Sequence, residues 1–329
     1  MHPSTSIERW HTTIQVCFHA ARLCFHAARL YPETDNSPSP LPTNQDRVRL
    51  FRPTLNMARF HDSCERMCLP PFDQNALLRC IEQLVRLDAD WVPRKKGYSM
   101  YMRPLAFSTT PWLGLTQCSE AMIFVLLCPV GPYFKSGFQS IKLNVEERHI
   151  RAWPGGVGNT KCGGNYGPTV LPQIEASRAG CSQALFLYGK EQIVTEAGTM
   201  NIFFLWRTEE GEEELITPWL DDGCILPGIT RRSVLELCRE WGEFKVTEKS
   251  VTLPPLLKAA EEGRLLECFG TGTAAVIQPV KSLTYEGKEY ELPICATGEA
   301  SGPLAMRLTE TLVDIQEGRI DHEWSTVVN

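Results

Sequence analysis

A single lysine, Lys161, stands between two glycine-rich turns, Gly155-Gly-Val-Gly158 and Gly163-Gly164, with Arg151 ten residues before it and Tyr166 five after. Glycine admits positive φ and lets the backbone come close to a ligand. An amine approached closely on both sides suits a flat or anionic small molecule. A P-loop is excluded, because GxxxxGK[ST] needs glycine before the lysine and Ser or Thr after it. Here the neighbours are Thr160 and Cys162. The chemistry that fits is that of a covalent lysine, whose free amine, favoured by desolvation, condenses with a carbonyl cofactor. Spacing alone leaves a surface lysine in a flexible loop as the alternative.

The run GGVGNTKCGGNYGPT, residues 155–169, resembles the lysine segment of branched-chain amino-acid aminotransferases, which are pyridoxal 5'-phosphate enzymes of fold type IV. The similarity extends from about Arg47 to the C-terminus, and several separate motifs fall in the family's order. It implies a D-amino-acid aminotransferase-like fold: a small N-terminal α/β domain over 47–134 and a larger C-terminal mixed-sheet domain over 135–329 that binds the cofactor. It also implies a homodimer that moves the amino group of Leu, Ile or Val to 2-oxoglutarate through a Schiff base on Lys161. D-amino-acid aminotransferases and aminodeoxychorismate lyases share this fold, but their lysine and Gly-Thr surroundings match less well.

The resemblance assigns the remaining parts residue by residue. Glu196, in Thr195-Glu196-Ala-Gly-Thr199-Met-Asn201, takes the role of the acid that keeps the cofactor's ring nitrogen protonated. Leu226-Pro-Gly228-Ile229-Thr230 precedes a helix, where unpaired N–H groups and a partial positive charge suit a phosphate. Thr273, in Gly270-Thr-Gly-Thr273-Ala274-Ala275, is expected at the same phosphate, with the Thr273–Ala274 amides on the substrate carboxylate. Arg59 and Arg151 are expected to add charge-assisted contacts on the phosphate side, and Tyr166 to lie beside the cofactor. Tyr101, Arg103, Leu113, Leu115, Tyr133, Tyr166 and Thr199 are expected around the substrate, with the Trp112–Leu115 turn lining the neighbouring subunit's pocket. An apolar methylene discriminates by only about 1–3 kcal/mol, so the three branched substrates should be poorly separated.

Composition agrees with a soluble globular protein: 329 residues, 43% hydrophobic and 22% charged. A net charge of −6 without a long basic run argues against a nucleic-acid binder. The longest apolar run, Ala121 to Val130, is half the roughly 20 residues of a membrane helix and reads as a buried strand. Thirteen cysteines in scattered spacing, without CxxC, suggest neither zinc nor a disulfide framework, and a reducing compartment. The redox CxxC that some relatives carry after the GTA turn is replaced by Ala275 and Gln278.

The elements that must hold these residues follow from periodicity. Val48–Phe51 reads as a strand, and Pro53-Thr54 opens a helix to about Met67. A second helix runs from an Asp73 cap to about Leu87, with Leu77, Cys80, Ile81, Leu84 and Val85 as its apolar stripe. Tyr101–Pro104 reads as a strand end, and Cys128–Phe134 as the interdomain loop of the resemblance. Ala184–Tyr188 and Met200–Trp206 read as strands, Tyr285–Lys288 as a hairpin turn, and Leu304, Leu308, Leu312 and Ile315 as the inner face of a last helix.

Residues 1–46 stand apart. CFHAARL occurs twice in tandem, at Cys17–Leu23 and Cys24–Leu30, and its pattern suits a helix with arginines on one side. A mitochondrial transit segment fits the arginine excess, with an unstructured or misassembled leader as the alternative, so cytoplasmic and mitochondrial placement both stay open. Pro32 to Pro42 reads as a linker. The family's first small-domain strands have no counterpart here, so an interior strand is expected to become an edge. A non-catalytic product that pairs with full-length subunits is therefore the alternative to an active transaminase.

Overall fold

The computed structural model describes residues 48–93, 95, 97–131, 139–294 and 299–328, together with the backbone of Ala21–Arg22 and Phe25–His26. Those two pairs form β1 (Ala21–Arg22) and β2 (Phe25–His26). They are strands, where the tandem repeat suggested a helix. Both pair antiparallel with β4 (Ser99–Ser108) in one register, Ala21 opposite Ala106 and His26 opposite Tyr101. The edge expected to be left open is therefore met by two short segments of the leader.

β3 (Arg49–Phe51) leads directly into α1 (Pro53–Arg66), where Pro53 suits the first helical turn because the N–H it lacks would be unpaired anyway. α2 (Gln74–Leu87) starts where Asp73 accepts hydrogen bonds from the Asn75 and Ala76 amides. Its inner face carries Ile81 and Val85, with Leu77 and Leu78 packed alongside. Cys80 is exposed and belongs to the outer side. α1, α2 and β4 share one apolar core containing Met57, Phe60, Ile81, Met100 and Met102. Tyr101 and Arg103 lie in the first half of β4 rather than at its end.

β5 (Ala121–Val130) pairs with β4 along its whole length. It is not a buried strand. Ile123, Val125 and Leu127 face the small core, while Met122, Phe124 and Leu126 alternate with them on an uncovered face. The period of two places every second side chain outside whatever its composition.

The second sheet has nine strands. Its path runs β11 (Lys245–Lys249), β10 (Glu213–Pro218), β9 (Asn201–Arg207), β12 (Leu265–Gly272), β13 (Val276–Tyr285), β6 (Ile141–Glu146), β7 (Gln183–Tyr188) and β8 (Ile193–Ala197), with β14 (Lys288–Glu291) on β13. Three pairings are parallel, β10/β11, β13/β6 and β6/β7, so the sheet is mixed. Glu286 and Gly287, both at positive φ, make the tight β13–β14 turn.

The loop after β6 carries the lysine segment and enters α3 (Gly163–Tyr166) and α4 (Val170–Arg178). α5 (Ile229–Trp241) and α7 (Pro303–Glu317) cover one face of the sheet with Val234, Leu237, Leu308 and Leu312. α6 (Leu253–Glu261) covers the other with Leu253, Leu256 and Leu257. The chain closes with β15 (Ser325–Val327), which returns to pair with β3.

Candidate functional site

The lysine loop is held by groups that leave the amine free to face a cavity. Lys161 donates its backbone N–H to Ser63 Oγ at 3.1 Å, and Ser63 donates to the Arg59 carbonyl at 2.9 Å, so α1 anchors the loop. Asn165, buried in α3, donates to the Thr160 carbonyl at 2.6 Å and to the Val157 carbonyl. Gly158 is required by contact: a Cβ there would lie 2.5 Å from the Cys224 carbonyl oxygen. α3 then brings Tyr166 back, and Lys161 Nζ sits 5.4 Å from its ring centroid.

Glu196 lies on β8, just before a turn that only glycine makes well. Gly198 has φ 60°, and a Cβ on it would meet Gln183 Oε1 at 1.9 Å. The acid is almost wholly buried and receives three donors: Arg151 Nη2 at 2.7 Å, the Leu226 N–H at 2.8 Å and Asn201 Nδ2 at 3.2 Å. Burial raises the Glu196 carboxyl above the usual carboxylate range, while Arg151, the Leu226 N–H, Lys161 and Arg231 oppose that rise. A further cation beside it would favour the ionised form.

The third part is the N-terminus of α5. Gly228 caps it without any side-chain hydrogen bond, so no side chain takes the first amides. A Cβ on Gly228 would stand 2.0 Å from Asn201 Oδ1, which explains the glycine. Asn201 also donates to the Leu226 carbonyl at 2.9 Å, and so ties the acid to this turn. Opposite lies the β12–β13 turn, with Val276 at φ 59°, a strained conformation for a β-branched side chain.

The lysine loop, the start of α5 and the β12–β13 turn border one cavity of about 290 Å³, and Leu226 and Asn201 on its lining are the groups that hydrogen-bond Glu196 behind it. Lys161 and Tyr166 form one wall, and Tyr101 and Arg103 of β4 another. Thr199 comes from the turn after Glu196, Ile229 and Thr230 from α5, and Thr273 and Ala274 from the β12–β13 turn. Nine of the residues singled out from the sequence thus meet at one place. Arg59 stands behind the wall, donating to the Pro227 carbonyl at 3.2 Å just before α5. Arg151 is also buried, but its guanidinium pairs with Glu196, not with the phosphate-side turn expected for it. Leu113 and Leu115 are fully exposed and do not line this chain's cavity. Tyr133 lies outside the described residues.

Met200, Asn201, Leu226, Gly228, Thr271, Gly272 and Ala275 also line the cavity; they lie within the motifs read from the sequence, which gives them no individual role. Most are small or backbone-presenting, so their types carry no chemical signal. Asn201 did carry one, an amide shortly after a glycine turn, but of its two partners, Glu196 and the Leu226 carbonyl, the second lies 25 positions away.

The cavity suits pyridoxal phosphate on its own features. Thr271 Oγ1 is buried against it without a hydrogen-bond partner, and α5 presents amides that no side chain caps. A buried acid and an amine complete the donor set a protonated ring and a carbonyl carbon need.

Residues 43–283 match the family model for amino-transferase class IV. The chain belongs to that family. This class IV aminotransferase is 49% identical over 281 residues to the cytosolic branched-chain-amino-acid aminotransferase of Mus musculus, covering 85% of this chain and 72% of that protein. It is 50% identical over 279 residues to the mitochondrial enzyme of Rattus norvegicus, covering 84% and 70%. Its fold superposes with TM-score 0.73 on the branched-chain aminotransferase of the archaeon Thermoproteus uzoniensis with norvaline, at 25% identity and covering 94% and 90% of the two chains. The fold type IV architecture expected from the sequence is the one observed. Its relatives include cytosolic and mitochondrial proteins, and no described helix is long and apolar enough to cross a membrane.

Proposed function

We propose that this class IV aminotransferase is a branched-chain-amino-acid transaminase that uses pyridoxal phosphate and passes the amino group of Leu, Ile or Val to 2-oxoglutarate. One observation carries the reading. An amine and an uncapped helix N-terminus line one cavity, and Leu226 and Asn201 of that lining hydrogen-bond a buried acid held by Arg151, although these groups lie far apart in sequence.

When bound, the cofactor supplies the sink for the electron pair released at the substrate's Cα. Lys161 would hold the cofactor through Nζ, and its free amine would serve as the base that takes the proton from the substrate's Cα. The Glu196 carboxylate would hold the proton on the ring nitrogen, and Arg151 keeps that acid oriented. The Ile229 and Thr230 amides and Thr273 would hold the phosphate, where the helix's partial positive charge adds to hydrogen bonding, and Arg59, behind them on the Pro227 carbonyl, would add its charge. The Thr273–Ala274 amides take the substrate carboxylate. Tyr101, Tyr166 and the stem of Arg103 bound the side-chain space and keep water from the amine.

We read 47–134 and 135–329 as two domains, supported by the separate cores of α1–α2–β4 and of the large sheet. We read the working form as a homodimer, supported by the exposure of Leu113, Leu115 and one face of β5. Incubation with pyridoxal phosphate, borohydride reduction and tryptic mapping test the central assignment. The pyridoxyl group is expected on Lys161; its recovery on another lysine would end this reading.

A further inference from the structure

We infer that Arg52, a residue outside the cavity, is the positioning residue that aligns the two phosphate-side groups, Arg59 and the first turn of α5. The inference rests on the cofactor reading given above.

Arg52 joins β3 to α1 in the left-handed conformation, with φ 47° and ψ 52°. A side chain other than glycine holds that conformation only where its surroundings fix it. Here they do. Its backbone N–H donates to the Trp324 carbonyl at 2.6 Å, and its guanidinium lies 4.0 Å from the Trp324 ring centroid. The side chain is 7% exposed.

Two hydrogen-bond routes leave this one residue. Along the first, Arg52 Nη1 donates to Ser233 Oγ at 2.8 Å, and Ser233 donates to the Ile229 carbonyl at 2.9 Å. That route ends on the opening residue of α5. Nη2 adds an ion pair to Glu236, one turn further along the same helix. Along the second, the Arg52 carbonyl accepts from Asn56 Nδ2 at 3.0 Å, and Asn56 Oδ1 accepts from Arg59 Nη2 at 3.4 Å. Asn56 and Ile229 also border a small void with Thr230 and Thr273. The strained residue thus sits where the small core, the phosphate-side helix and the C-terminal strand meet. A shift of Arg52 moves Ile229 and the Arg59 that backs its turn relative to each other, which a phosphate bound at that turn would feel.

A purely structural latch predicts something different, and Arg307 provides the comparison. It pairs with Glu243 and stacks 3.8 Å from the ring centroid of Trp241, the last residue of α5. The test is titration of the full chain, freed of cofactor, with pyridoxal phosphate, alongside thermal melting of the same samples. Arg52→Gln and Ser233→Ala are expected to raise the pyridoxal phosphate Kd by about tenfold, the loss of one charge-assisted hydrogen bond's worth of alignment. Arg52→Lys should lose less, because an ammonium keeps the ion pair but not the forked geometry. Arg307→Gln should lower the melting temperature while leaving the Kd within about twofold, since it anchors the helix end away from the phosphate turn. Should Arg52→Gln fail to fold, Ser233→Ala decides, since it removes a single oxygen. A Kd unchanged in Ser233→Ala and in any folded Arg52→Gln, or shifted equally by Arg307→Gln, would overturn the inference and leave Arg52 a latch. If the unmodified chain takes up no pyridoxal phosphate, the cofactor reading itself has failed.

Discussion

Replacing Glu196 with Gln should weaken both folding and turnover, and the geometry separates the two effects. The carboxylate accepts from Arg151, the Leu226 N–H and Asn201. A glutamine of the same shape offers one accepting oxygen and a donating NH₂. With its oxygen toward Leu226 and Asn201, its NH₂ meets Arg151 donor to donor. Flipped, it meets the Leu226 N–H instead. Either way a buried donor loses its partner and Arg151 loses its counter-charge. Arg151 has little else to turn to, because Nε and Nη1 already have no hydrogen-bond partner. Removing one member of such a pair costs about 3–5 kcal/mol.

Urea unfolding of the cofactor-free protein measures that first effect. The double replacement Arg151→Met with Glu196→Gln should recover part of the loss, because it removes the stranded charge as well. The second effect appears in leucine turnover after loading with pyridoxal phosphate, where a loss of at least roughly 10²-fold is expected for an electrostatic group at the reacting system. A Glu196→Gln protein that unfolds at the unmodified midpoint and turns over leucine at the unmodified rate would refute the reasoning at both levels.

The remaining expectations are simpler. Burial would push Glu214 up, but hydrogen bonds from Lys249, Thr247 and Trp206 outweigh it and bring the carboxyl down to about 2. Its contribution is therefore fully present above its ordinary value of 4.5 and is lost as pH falls from there toward about 2. Melting curves of Glu214→Gln against pH should lack that part of the acid limb, and an unchanged limb would count against the network. Paired charges on the open face of β5, Phe124→Lys with Leu126→Lys, should shift the protein toward monomer in sedimentation, whereas an unaltered size would remove β5 from the subunit contact. Deleting residues 1–46 should expose the β4 edge that β1 and β2 meet and so lower soluble yield. Equal yield and melting temperature with and without the leader would show that those pairings contribute nothing.

Much of the pocket was legible because its chemistry resides in residue types that are rare in such settings. A lysine between glycines, an acid beside a Gly-Thr turn and a Pro-Gly before a helix each point to one job. What stayed hidden were partnerships across the chain. Arg151 carries a charge that suits a phosphate as well as an acid, and only the fold shows that its guanidinium goes to Glu196. Arg52 offers no sequence signal beyond a charge before a proline, yet it reaches Ser233 and Glu236 about 180 positions away.

β5 misled for a different reason, and that reason bears on how the site is completed. Residues 121–130 are apolar at nearly every position, which composition reads as burial on both faces. The chain covers one face only, and it leaves Met122, Phe124 and Leu126 in the open. The connection between β4 and β5 carries Leu113 and Leu115, which are exposed as well. Apolar surface of this extent is seldom left to water when a neighbour can cover it. Among the described residues, Leu113 and Leu115, the two expected at a substrate pocket but absent from this chain's cavity, are therefore the same ones that lie in its uncovered apolar region. If a second copy covers β5, the leucine turn is carried toward that copy, and each cavity would be finished by a wall it does not itself encode. Leu113→Asp should then reduce leucine turnover while sparing pyridoxal phosphate uptake, because cofactor contacts come from within one chain. Mixing it with Lys161→Ala subunits gives the decisive reading. Hybrid dimers should regain activity in one of their two sites, and no regain at any ratio would place the leucine turn outside the pocket.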